Sequence, residues 1–149
     1  MTGLEEVQLD ERGLAHVSHR ADLNFWRGLA LGQLWMTRCT GCHEFLWPAP
    51  WRCKHCGSFD IGWEPVRPEG VVYSWIRTHY PFHPGYVDRL PYVNVLVEVP
   101  HAGRRRLFGL LLGTTEETGH VRIGMPVRGV FEPATEATSH LPTLRWELA

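Results

Sequence analysis

The chain has 149 residues, the size of one domain or of two very small modules packed together. It carries 15 Lys and Arg against 16 Asp and Glu, a net charge of -1, and is 44% hydrophobic, a balance that argues against disorder and supplies no global field to hold a polyanion. Apolar runs such as Leu110 to Leu112 fall far short of the roughly 20 residues a membrane-spanning helix needs. Glu5, Glu6, Asp10 and Glu11 stand where a secretory signal would have a basic start and an apolar stretch, so a cytoplasmic location, reduced thiols and no membrane partner are expected.

In chain order, residues 1–21 are polar and aperiodic and predict an extended N-terminal arm. From Asp22, a natural N-cap, Leu23, Trp26, Leu29 and Ala30 recur at helical spacing and Gly32 is a natural stop. Leu34 to Thr37 then reads as a strand, and residues 22–67 form the first module. After the turn signal Pro68-Glu69-Gly70 the pattern changes to strands for residues 68–149. Val71 to Tyr80 is β-branched and aromatic, and Val93, Val95, Val97 and Val99 fall on one face of a period-two run. Pro100 to Gly103 predicts a four-residue hairpin loop leading into Arg104 to Gly113. Val127 to Glu132, entered sharply through Gly124-Met125-Pro126, and Thr143 to Leu148 complete five strands. A mainly β chain is expected, ending in a small antiparallel barrel of the OB type, with no internal repeat.

All four cysteines lie in one stretch, Cys39-Thr40-Gly41-Cys42 and, ten residues on, Cys53-Lys54-His55-Cys56. Each two-residue gap folds two sulfurs toward one point, so Cys39, Cys42, Cys53 and Cys56 are expected to form a tetrahedral thiolate cage for a structural zinc. A single iron on the same ligands is the alternative ion, and a redox dithiol or disulfides are disfavoured by the two pairs and by the compartment. His43 and His55 are expected at the surface, because four sulfurs already complete the shell. Phe45 to Trp51, between the pairs, is too apolar for a free loop and is expected to pack on the helix or a partner.

Phe25-Trp26 and Leu29 on a short helix, the four-cysteine ribbon, Gly70-Val71-Val72-Tyr73-Ser74, Pro91-Tyr92-Val93 and Arg122-Ile123-Gly124-Met125-Pro126-Val127 follow one another in this order. The combination resembles a family of acyl-CoA-associated proteins, long catalogued as a domain of unknown function, in which a rubredoxin-like zinc ribbon precedes an OB-fold. The resemblance covers residues 22–148, with His43 standing where the family usually has glycine. It implies an accessory subunit that pairs with a thiolase-fold enzyme and helps bind acyl-CoA. The partner's reaction would be aldolase cleavage of a β-hydroxyacyl-CoA, as in steroid side-chain degradation, or thiolase chemistry.

Outside the cysteines, Arg104, Arg105 and Arg106 are a candidate clamp for CoA phosphates, against the plainer reading of a solvated turn. The aromatic, Pro-rich connection that holds His79, Tyr80, Phe82, His83 and Tyr86 is a candidate partner-binding loop. Among seven tryptophans, at 26, 35, 47, 51, 63, 75 and 146, some are expected to anchor an interface. No catalytic residue is assigned: Asp88, Glu98, Glu116 and Glu117 have no nucleophile beside them in sequence, and no Gly-x-Ser-x-Gly elbow is present. The rival function is a single-stranded nucleic-acid-binding module, which both zinc ribbons and OB-folds can serve; the balanced charge argues against it.

Overall fold

The computed structural model describes residues 3–17 and 20–149; residues 1, 2, 18 and 19 of the expected arm lie outside that range. The described part of the arm is not extended. Leu4 is fully buried in a 3-10 turn (Leu4–Glu6) packed on the first long helix, and a one-turn helix, α1 (Glu11–Leu14), is capped by Asp10, which accepts from the Arg12 amide at 2.8 Å. A single buried leucine in a polar stretch carries no periodicity, so pattern alone does not announce it. Helix α2 (Leu23–Ala30) follows, with Leu29 buried and Gly32 at φ 70 just beyond its end. Asp22 occupies the N-cap position but its side chain caps nothing.

The ribbon is a three-stranded antiparallel sheet of β1 (Leu34–Cys39), β2 (Phe45–Leu46) and β3 (Ile61–Val66), in the order β2-β1-β3. Its two ends differ. Leu34, Met36 and Val66 join the main core, whereas Cys39, Leu46 and Cys53 make a separate cluster at the knuckle end. The apolar segment between the cysteine pairs packs on the helix, with the Trp47 and Phe25 rings 4.9 Å apart, while Trp51 is exposed.

Strands β4 (Glu69–Thr78), β5 (Tyr92–Val99), β6 (Arg105–Leu111), β7 (Pro126–Glu132) and β8 (Thr143–Leu148) close a barrel in the order β4-β5-β6-β8-β7. All ladders are antiparallel except β6–β8, which is parallel and rests on the single pair Leu111 and Trp146. This is the expected OB-type barrel. Val93, Val95, Val97 and Val99 point inward at no more than 1% exposure, and Trp146 fills the interior. The β5–β6 loop is five residues, Pro100 to Arg104, rather than four, because Gly103 and Arg104 both take positive φ (61 and 57) and Val99 pairs with Arg105. A one-turn helix, α3 (Thr115–Thr118), with a complete capping box, bridges β6 and β7.

Two sequence motifs meet where the barrel closes. A bulge at Tyr73 lets β4 serve two neighbours, and Val72 both donates to Met125 O (2.9 Å) and accepts from Gly124 N (2.7 Å). Gly-Val-Val-Tyr-Ser and Arg-Ile-Gly-Met-Pro-Val are thus the two halves of one seam. Gly70 is required there: a Cβ would stand 2.4 Å from Glu98 O. No helix among the described residues is long and apolar enough to cross a membrane.

Candidate functional site

The four cysteine sulfurs lie within 4.8 Å of one another, with Cys39 and Cys56 at 3.5 Å and Cys42 and Cys53 at 3.6 Å. A tetrahedron of sulfurs about 2.3 Å from a central zinc has edges of about 3.8 Å, so this donor set fits the ion. Four thiolates leave no open coordination position, and the zinc is structural: it ties β1, the knuckles and the turn before β3 into one unit.

The backbone prepares that charge. The Cys42 amide donates to Cys39 Sγ at 3.5 Å and is the leading reason the Cys39 thiol sits below its ordinary value. The amides of Cys56 and then His55 draw Cys53 down to about 6. At Cys42 the Glu44 amide pulls downward, yet burial and the neighbouring sulfurs of Cys53, Cys39 and Cys56 push the thiol up to about 12. Four thiolates repel one another at this distance, and a dication removes the repulsion.

The two knuckles are copies of one another, contrary to the expectation of no internal repeat. Arg38-Cys39-Thr40-Gly41-Cys42-His43-Glu44-Phe45 and Arg52-Cys53-Lys54-His55-Cys56-Gly57-Ser58-Phe59 share the pattern Arg-Cys-x-x-Cys-x-x-Phe. In each, the first cysteine's N–H reaches the carbonyl five residues on (Glu44 at 2.9 Å, Ser58 at 2.8 Å), and its carbonyl accepts from the residue after the second cysteine (His43 and Gly57, both 2.9 Å). In each, the arginine donates Nε to that same residue's carbonyl, at 2.7 and 2.8 Å, and lies over the following phenylalanine, at 4.8 and 5.2 Å. His43 adopts the left-handed φ of 64 where its counterpart Gly57 has 79, so histidine in place of glycine leaves the turn intact. His43 and His55 are both exposed, as expected.

The arginine run divides by role. Arg104 and Arg106 both pair with Glu98, a buried carboxylate, at 3.2 and 3.4 Å, and Arg106 also stacks on Tyr73 at 3.5 Å. Arg105 instead crosses to the ribbon, donating Nε to Phe45 O at 2.8 Å and reaching His55 Nε2 at 3.4 Å. Glu98's role and this crossing strut carry no sequence signal, because their partners are brought opposite them only by strand pairing and by the packing of ribbon on barrel.

The connection between β4 and β5 divides too. Tyr80 and Phe82 are 66% and 77% exposed and pack edge to face on each other at 4.9 Å. His79 and His83 are also exposed. Tyr86 turns back onto the barrel, its ring 5.7 Å from that of Tyr92 and its hydroxyl accepting from Arg145 Nη2 at 3.0 Å. Arg145 and the cleft beside it were not legible in the sequence, since an arginine on an alternating strand ordinarily faces water.

Comparison with known proteins agrees with this architecture. Residues 26–62 match the family model of the ChsH2 rubredoxin-like zinc ribbon domain and residues 63–132 that of the ChsH2 C-terminal OB-fold domain. The solved Ltp2-ChsH2(DUF35) aldolase contains a chain 30% identical to this one, superposing with a TM-score of 0.75 over 87% of this chain and 95% of that one. A DUF35-family protein of unknown function from Sulfolobus solfataricus shares the fold at 18% identity, with a TM-score of 0.61 over 93% of this chain and 91% of that one. A probable enoyl-CoA hydratase alpha subunit from Thermomonospora curvata is 38% identical over 109 residues, 71% of this chain, which spans about a third (32%) of that relative's length. With both the ribbon and the barrel matched by its domain models, the chain belongs to the ChsH2-type DUF35 family of zinc-ribbon/OB-fold proteins and is similar to a chain of an aldolase and to part of a probable enoyl-CoA hydratase subunit.

Proposed function

We propose that this chain is the accessory subunit of a thiolase-fold enzyme, an aldolase that cleaves the carbon–carbon bond of a β-hydroxyacyl-CoA such as a steroid side-chain intermediate. The observation that carries this reading is the 30% identity extending over 95% of the ChsH2 chain in the solved Ltp2-ChsH2 aldolase. The chain's own chemistry supports a helper role. Its thiols, the natural acyl-transfer nucleophiles, are all ligands of the structural zinc. Glu98 is held by two arginines and Glu117 by its capping box with Thr114, which keeps its carboxyl below the ordinary value.

In this reading the exposed Tyr80 and Phe82, with His79 and His83, dock on the partner, since rigid aromatic rings offer apolar area with few rotamers to freeze. Tyr86 backs that loop from the barrel side. Arg104, whose side chain is 78% exposed, is the outermost of the arginine run and meets a CoA phosphate, while Arg105 and Arg106 hold the surface beneath it.

The test is reconstitution with a thiolase-fold partner encoded in the same cell. Expected are a stable complex on size exclusion, lyase turnover by the mixture only, and loss of both with Tyr80→Ala/Phe82→Ala at unchanged melting temperature. Turnover of β-hydroxyacyl-CoA by the isolated chain, or an unaffected double variant, would overturn the reading. The exposed Tyr73, Trp75 and Phe108 on the barrel are the observation that favours the nucleic-acid alternative. Salt-sensitive binding of a labelled single-stranded oligonucleotide would select it.

A further inference from the structure

A cleft of about 370 Å³ opens beside β6 and β8, whose ladder is a single pair, and α2 and the β4–β5 connection form its other walls. Its size is that of a small-molecule site. Its polar lining includes Asn94, Tyr92 and Thr143, which can donate or accept, and one group of side chains that present donors. Arg145, 8% exposed, uses Nε on Glu132 (3.3 Å) and Nη2 on the Tyr86 hydroxyl (3.0 Å), which leaves the rest of its five N–H groups. Because Tyr86 Oη accepts from that guanidinium, its own hydrogen is free to point elsewhere. His83 Nδ1 accepts the Gly85 amide at 3.0 Å, so its proton sits on Nε2, and its ring is 5.7 Å from that of Tyr86. Arginine, phenol and imidazole therefore form a contiguous row of donors. Among the described residues that line the cleft none is a carboxylate; Glu132, outside the lining, pairs with Arg145.

The remaining walls are apolar, chiefly Phe25, Leu107, Phe108 and Leu144. Two buried polar atoms in the wall, Trp26 Nε1 and Thr143 Oγ1, have no partner, so the wall's own hydrogen bonding is incomplete. We propose that this cleft binds a small apolar carboxylic acid, its carboxylate on the Arg145–Tyr86–His83 row and its hydrocarbon body between α2 and β6. A row of donors that includes a guanidinium, at the end of an apolar trough, selects an acceptor-only head on an apolar tail. Every group in the site belongs to this chain, so it can be tested on the chain alone, although His83 also lies on the surface assigned to the partner.

The experiment titrates the zinc-loaded chain alone with 4-phenylbutyrate and with its uncharged analogue 4-phenylbutanamide, followed by calorimetry and by amide and indole chemical shifts. Expected is saturable binding of the acid, about tenfold tighter than the amide, with shifts centred on Tyr86, Arg145 and the Trp26 indole. Tyr86→Phe, which keeps the ring and removes the hydroxyl, should weaken the acid about fivefold; because it also leaves a buried Arg145 N–H without its acceptor, it should lower the melting temperature by a few degrees while the fold is kept. Equal affinity for acid and amide, shifts centred elsewhere, or no saturation on the order of 10 mM would overturn the proposal. So would occupation of the donor row only by an acidic side chain of an added partner. The wild-type comparison of acid with amide decides the matter even if a variant fails to fold.

Discussion

Removing the zinc should unfold one end of the ribbon and spare everything else, and the structure says where the boundary falls. At the knuckle end the buried cluster is Cys39, Leu46 and Cys53, with Cys42 and Ile61 packed against it. Leu46 is its one fully buried aliphatic, worth about 2–3 kcal/mol on burial. Ordering a single residue's backbone costs about 1–2 kcal/mol, so without the ion this cluster offsets the ordering of only a few residues of the two knuckles. A thiolate-bound zinc contributes on the order of 10 kcal/mol. Leu34, Met36 and Val66, on the same sheet, belong instead to the core that includes Trp146 and the inward valines of β5. In hydrogen exchange with a chelator, or in Cys53→Ser, the amides of Cys39, His43, Cys53 and Gly57 should lose several orders of magnitude of protection. Those of Met36, Val95 and Val97 should keep theirs. Parallel opening of barrel and knuckles, or knuckles that stay protected without metal, would refute the reasoning.

Three further outcomes follow from particular residues. Gly57→Ala places a side chain at φ 79 with its Cβ 3.1 Å from Arg52 Nη2, so it should cost about 1–2 kcal/mol and weaken zinc retention about fivefold to thirtyfold in chelator competition, whereas His43→Gly at φ 64 should be nearly neutral. Arg105→Met removes the donor to Phe45 O and should raise exchange at Phe45 and Leu46, at a cost of about 1 kcal/mol, while the barrel's melting temperature hardly moves. The Arg12 side chain, then its amide, hold the Asp10 carboxyl at about 2 against an ordinary 3.8. Because the folded value is the lower one, this cap is fully present above about pH 4 and is lost as pH falls toward 2. The Arg12 amide shift should titrate in that window, and a midpoint near 4 would show the cap is not formed.

The local code was legible wherever one residue's neighbours in sequence are also its neighbours in space. Cys-x-x-Cys twice over is such a case, because each turn is closed within five residues, and so is the valine alternation of β5, which shows which face of that strand the barrel buries. The knuckle repeat is also written locally, in the paired Arg-Cys-x-x-Cys-x-x-Phe, although no internal repeat was expected from the sequence. What needed the tertiary structure is whatever depends on contacts between distant segments. Leu4 is buried in a turn that packs beside α2, and Arg105 is a strut because Phe45 ends up across the junction. The row of Arg145, Tyr86 and His83 exists because β8 and the β4–β5 connection meet on the barrel. Periodicity reports the environment of a face and spacing reports a local turn; neither encodes which remote group will stand opposite a given side chain, and it is barrel closure that decides that.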